Sequence, residues 1–244
     1  MEVENPALKD CKTEVAGHDL TCKTDQTVKQ AAVKVRKVAV FFIGGAGDKE
    51  QYYQNEPPHR NVVNALNLLL DSLSPEQKLE VNLPYVSYKD VRGEKDIQKY
   101  VIRPLKGDKS VYIVIVGHSL GGWNGAHLTS ILKERGYTVK ILVTLDPVGG
   151  GTGVWMVSDI YFTTPKPAAD YWINILASPK STDDSDTVAS IGERWVMTSG
   201  PDINEAIDAN HYKARTMFGT KLQGGKSACD IVYERLTKYL EATK

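Results

Sequence analysis

The apolar residues of this chain fall into short unbroken runs, and stretches with helical spacing lie between them. The first run is Val38 to Ile43, VAVFFI, followed at once by Gly44-Gly45-Ala46-Gly47. A run with no polar alternation, rich in β-branched and aromatic residues, predicts a strand buried on both faces and ending in a turn. Val111 to Val116 (VYIVIV) and Val139 to Leu145 have the same character, and Tyr171 to Ala177 reads as a further strand. Over Asn61 to Leu73, residues Val62, Val63, Leu66, Leu69, Leu70 and Leu73 recur at helical spacing until Ser74-Pro75 breaks it. Leu79 to Tyr88 reads as a strand whose course Pro84 disturbs. Asp96 to Leu105 predicts a second helix. A third runs on from Gly122 to about Arg135, where Gly136 stops it, and Ala228 to Ala242 closes the chain as an amphipathic helix.

Strands without a polar face need helices over both sides. The alternation therefore predicts an α/β fold with a mostly parallel central sheet covered on both faces. Residues 1–35 are polar and charged with little periodicity and read as an N-terminal extension. Residues 36–244 read as a single domain, a common size for one α/β core.

Composition narrows the function classes. The 30 Lys+Arg balance 30 Asp+Glu, so nothing global points to nucleic acid or to electrostatic adsorption on anionic membranes. No run approaches the length of a membrane-spanning helix. The start, MEVENPALKDCKTEV, lacks the basic and apolar stretches of a secretory signal, so the expected location is the cytoplasm or a signal-free export route. The three cysteines are Cys11, Cys22 and Cys229, with no C-x-x-C pair to suggest zinc. Cys11 and Cys22 are open to two readings, a disulfide in an oxidising compartment or two reduced thiols.

The strongest chemical signal is Gly117-His118-Ser119-Leu120-Gly121, a G-x-S-x-G sequence. The bare pattern is weak; its setting makes it strong, because a buried strand runs directly into it and a helix leaves directly from it. A serine at the tip of a strained strand-to-helix turn is exposed for attack. Glycines two residues away on either side let strand and helix crowd together. The helix N-terminus adds unpaired N–H groups and a field that favours negative charge. The alternative is a plain glycine-rich turn with a helix-capping serine.

At this point the sequence resembles the lipases and esterases of the α/β-hydrolase superfamily. The resemblance spans roughly Val38 to His211 and is carried by three short motifs. It implies acyl transfer to water through a Ser-Asp-His triad and an acyl-enzyme, with no cofactor. It implies an oxyanion hole with one donor from the residue after the nucleophile, Leu120, and another from the loop after an earlier strand, here Gly45 or Ala46. A phosphate cradle is the rival use of that loop, but the G-K-[ST] ending of a P-loop is missing. Asp48, Tyr52 and Tyr53 are candidates to line the cleft beside it.

The family order, serine then acid then histidine, selects His211 among the five histidines, since His18, His59, His118 and His127 all lie in the wrong place. The acid is Asp146 or one of Asp183, Asp184 and Asp186. Asp146 is preferred because it ends a buried strand in Leu145-Asp146-Pro147, like the Leu-Asp-Pro of pancreatic-type lipases. The other three sit in a Ser/Asp/Thr-rich stretch that reads as a solvated, mobile loop.

Between Pro147 and Pro167, glycines stand beside Trp155, Met156, Tyr161 and Phe162. This suits either a lid over an apolar cleft or ordinary core. A lid favours lipid or phospholipid esters and a transient membrane-surface contact. The Phe41–Asp48 and Thr144–Val148 motifs are also similar to lipase effectors injected by bacterial type VI secretion, which implies toxin action on phospholipids and an immunity protein as partner. A cytoplasmic small-ester or thioester hydrolase, and a hydrolase-fold binding protein without turnover, remain as alternatives.

Overall fold

The computed structural model describes residues 37–51 and 57–244. The expected extension, with Cys11, Cys22 and His18, lies outside the described residues, as do Tyr52 and Tyr53.

In chain order the elements are β1 (Val38–Gly44), α1 (Asn61–Ser72), α2 (Pro75–Glu80), β2 (Val81–Asn82), β3 (Tyr85–Ser87), α3 (Glu94–Ile97) and α4 (Arg103–Leu105). Then come β4 (Tyr112–His118), α5 (Leu120–Glu134), β5 (Val139–Leu145), α6 (Thr152–Val157), β6 (Trp172–Ala177), α7 (Asp184–Ile191), β7 (Ile203–Ile207), α8 (Ala214–Gly219) and α9 (Ala228–Ala242). The sheet order is β2-β1-β4-β5-β6-β7, with β3 also paired to β1, and all the pairings between these strands are parallel.

The strands sort their side chains by parity onto two cores. Val38, Val40 and Phe42 of β1, with Val114 and Val116 of β4, face one side and pack with α1, α8 and α9. Ala39, Phe41 and Ile43, with Ile113 and Ile115, face the other and meet Ala126, Leu128 and Leu132 of α5. Each run is apolar throughout because both of its faces are covered, which is the architecture expected from the sequence.

Two expectations are corrected. The stretch Leu79 to Tyr88 is not one strand. Its start belongs to α2, begun by a Ser74 capping box with Pro75 in the first turn, so the residues that end α1 also start the next helix. The remainder pairs with β1 in two short pieces either side of Pro84, whose carbonyl accepts from Phe42 N–H. The stretch containing Asp183, Asp184 and Asp186 is no solvated loop: Asp183 and Asp186 form a capping box that opens α7, and Asp186 is buried.

Candidate active site

The site forms where β4 and β5 end side by side. Ser119 follows β4 directly and is the N-cap of α5, with φ 56° and ψ −128°, a conformation that a non-glycine residue seldom adopts. The turn closes because its glycines have no side chains. A Cβ on Gly117 would come within 2.4 Å of the Gly121 carbonyl oxygen, and one on Gly121 within 2.2 Å of that of Ile43. Asp146 follows β5 directly, also at positive φ (42°), and its N–H donates to the Ile175 carbonyl of β6 at 2.7 Å. Nucleophile and acid candidates thus hang from adjacent strand ends.

His211 arrives from the loop after β7. Its Nε2 lies 3.0 Å from Ser119 Oγ and its Nδ1 lies 2.6 Å from Asp146 Oδ2. All three residues are buried. A carboxylate can only accept, so Nδ1 donates to Asp146 and the neutral ring's Nε2 is left to accept from the serine hydroxyl. Burial by itself would raise the Asp146 pKa; the hydrogen bond and charge of His211, joined by those of Arg194, outweigh it and hold the carboxyl below its ordinary range.

The structure brings Ser119, Asp146 and His211 together and leaves the other acid candidates out of that contact. Asp183 caps α7 and Asp184 is exposed. Asp186 touches His211 at its backbone, accepting from His211 N–H at 3.1 Å. Of the other described histidines, His127 is paired to the Thr163 carbonyl (2.7 Å) and His59 stacks on Tyr212.

Leu120 is the first residue of α5, so its N–H has no partner within the helix. The loop after β1 closes on the same spot: a Cβ on Gly45 would lie 2.7 Å from Ser119 Cβ, and Ala46 borders the cavity in front of the serine. Asp48 does not line the cleft. It is buried and accepts from the Tyr85 hydroxyl and, at 3.0 Å, from Val62 N–H, fastening this loop to the start of α1.

The cavity in front of Ser119 is about 290 Å³. Its wall is mainly apolar, with Leu120, Val148, Val154, Val157, Val188 and Ile191 contributing. The segment from Pro147 to Pro167 is partly core and partly cavity wall. Val148 and Ile160 are buried in a cluster with Leu120 and Trp123, while α6 forms part of the cavity wall and leaves Met156 88 % exposed.

Three residues support the site in roles not expected of them from the sequence. Arg194 holds Asp146, Asp186 holds the main chain of His211, and His118 Nε2 donates to the His211 carbonyl at 2.8 Å. His118 was visible only as the variable residue of the motif. The capping pattern Asp183-x-x-Asp186 ahead of Val188-Ala189 was a readable helix start. Nothing local marks Arg194.

No family model matches the chain, and no curated protein does. The solved structures it resembles are distant. An α/β-superfamily hydrolase from Xanthomonas campestris is 13% identical over 84% of this chain and 99% of its own, with a TM-score of 0.40. The esterase domain of a Rhodothermus marinus protein is 10% identical over 85% of this chain and 88% of its own, again at 0.40. A type II thioesterase of yersiniabactin biosynthesis is 9% identical over 85% of this chain and 93% of its own, at 0.40. The chain has the α/β-hydrolase fold on its own evidence: a parallel, doubly covered sheet with a strained serine elbow at the tip of an inner strand.

Proposed function

We propose that this protein is a serine hydrolase of carboxylic esters whose acyl part is apolar, with lipid and phospholipid acyl esters as the substrate class. The observation that carries the reading is the unbroken hydrogen-bond chain from Ser119 Oγ through His211 to buried Asp146, opening on an apolar cavity.

His211 takes the hydroxyl proton as Ser119 Oγ attacks the ester carbonyl. The oxyanion is held by the N–H of Leu120 and one from the Gly45–Ala46 turn; such a donor contributes about 3–4 kcal/mol to the transition state. Asp146 stabilises the imidazolium, which then protonates the leaving alkoxide as the C–O bond breaks. Water attacks the acyl-enzyme by the same route, returning the proton to Ser119 and releasing the acid. These steps require only the chain and water.

The apolar wall and the exposed Met156, Val157 and Ile191 favour a long acyl chain over a small polar one. The motif resemblance to injected lipases makes bacterial phospholipids the first substrates to try and an immunity protein the first partner to seek. Among the described residues no helix is long and apolar enough to cross a membrane. The test compares hydrolysis of phospholipid vesicles and of soluble short-chain esters by the wild-type chain and Ser119→Ala. Release of fatty acid from vesicles that disappears in the variant supports the reading. Turnover of short esters alone removes the lipid part, and no turnover of any ester removes the whole.

A further inference from the structure

Arg194 joins two buried carboxylates. Its Nε lies 3.1 Å from Asp146 Oδ1 and 2.9 Å from Asp146 Oδ2, and its Nη2 lies 3.1 Å from Asp186 Oδ1. Nη1 reaches Ser190 Oγ at 3.0 Å. The two carboxylates grip the same histidine at different points. Asp146 Oδ2 accepts from the ring at Nδ1, and Asp186 Oδ1 accepts from the main-chain N–H. The circuit is therefore closed: ring, Asp146, Arg194, Asp186, backbone, ring.

Both carboxylates have further donors, Ala177 N–H on Asp146 and Asn210 and Asp183 N–H on Asp186, and Arg194 is the cation they share. The Asp146 side chain is fully buried and that of Asp186 is 5 % exposed, whereas the guanidinium reaches partly to solvent at 19 %. A planar fork with several donors suits two acceptors at once; an ammonium is a point charge and does not span them.

We propose that Arg194 is a positioning residue of this site: by locking Asp146 to Asp186 it fixes both the imidazole and the backbone of His211 relative to Ser119. The proposal rests on the reading of Ser119 as nucleophile. Arg194 acts on the imidazole ring of His211 through these two carboxylates. The other groups facing that ring are Asp146, the His118 ring (centroids 4.7 Å apart) and the Tyr212 ring (5.9 Å), with Asp186 at the backbone and His59 behind Tyr212. His118 is kept neutral by burial and by His211, its pKa lowered to about 3, so it adds no charge there in the neutral range.

The experiment measures the rate at which a fluorophosphonate modifies Ser119, normalised to folded protein, in wild type, Arg194→Lys and Arg194→Gln, beside the melting temperature of each. Arg194→Lys keeps the charge and loses the fork, and Arg194→Gln loses both. Each should react at least about ten-fold more slowly per folded molecule. A residue that merely held the fold together would lower the melting temperature while leaving the rate of the folded fraction unchanged, and that result overturns the proposal. If Arg194→Gln does not fold, Arg194→Lys decides alone: a wild-type rate overturns the proposal. A wild-type chain that never reacts overturns the Ser119 reading and this inference with it.

Discussion

His118 donates from Nε2 to the carbonyl of His211 at 2.8 Å, and the two rings lie 4.7 Å apart, tilted by 37°. The variable residue of the serine motif is thereby a support for the histidine. The His211 main chain is gripped at its N–H by Asp186 and at its carbonyl by His118, so the ring has little freedom to leave Ser119.

Because burial and His211 lower the His118 pKa to about 3, from 6.5, the unfolded chain binds a proton here that the folded chain refuses. Stability falls as pH drops from 6.5 toward 3, by at most about 1.4 kcal/mol per pH unit. His127, also lowered, acts in the same direction, so the contribution of His118 is read as a difference between proteins. Denaturant melts at pH 7.5 and pH 5 should show wild type losing more stability than His118→Asn. Equal losses would count against a neutral, buried His118.

Gly45→Ala should act chiefly on the site, with some cost in stability because the His118 carbonyl oxygen also lies 3.1 Å from the added Cβ. Its Cβ would crowd Ser119 Cβ at 2.7 Å and Ser119 Oγ at 3.1 Å. The expected outcome is a loss of at least about 100-fold in kcat/KM, the scale of a disrupted oxyanion hole. Gly121→Ala should act through stability instead, since its Cβ meets the fixed Ile43 carbonyl; about 1–3 kcal/mol of destabilisation is expected in a thermal or denaturant melt.

The choice among acids gives a graded prediction. Asp146→Asn should cost on the order of 10⁴-fold in kcat, because the amide no longer holds the Nδ1–H tautomer. Asp184→Asn should cost almost nothing, since Asp184 is exposed on α7. Asp186→Asn should fall between them through the His211 backbone. Steady-state kinetics on folded protein checks the order; activity surviving in Asp146→Asn would assign the acid elsewhere.

Chain-length preference should follow the cavity. Val188 lies in its wall beside Ser119, so Val188→Phe fills space that an acyl tail would use. Long-chain esters should lose at least about ten-fold in kcat/KM while acetyl esters change little, as expected when uniform binding of the tail is removed. Met156→Ser should reduce vesicle hydrolysis and leave soluble esters and stability nearly unchanged, since its side chain is exposed and lies outside the cavity wall.

How much of this was legible in the sequence depends on where each residue draws its signal. VAVFFI and VYIVIV stood out because both faces of those inner strands are covered, so no polar position interrupts them. β7, INEAI, went unread because it is short and alternates polar with apolar residues, leaving little apolar signal. The serine elbow was readable because its glycines, strand and helix are contiguous. Asp146 and His211 could be ranked by strand position and order, but their meeting is tertiary. Arg194 lies 48 residues from the carboxylate it binds, in a contact that no local pattern encodes.

The central assertion is that Ser119 carries the acyl group between two chemical steps. It is tested most directly by mixing the protein with an activated ester, quenching in acid before turnover completes, and mapping the added mass by peptide mass spectrometry. The acyl mass should appear on the peptide containing Ser119 and be missing in Ser119→Ala, with its build-up greatly slowed in His211→Ala. Ester turnover that continues in Ser119→Ala, or an acyl group found on another residue, would contradict the account.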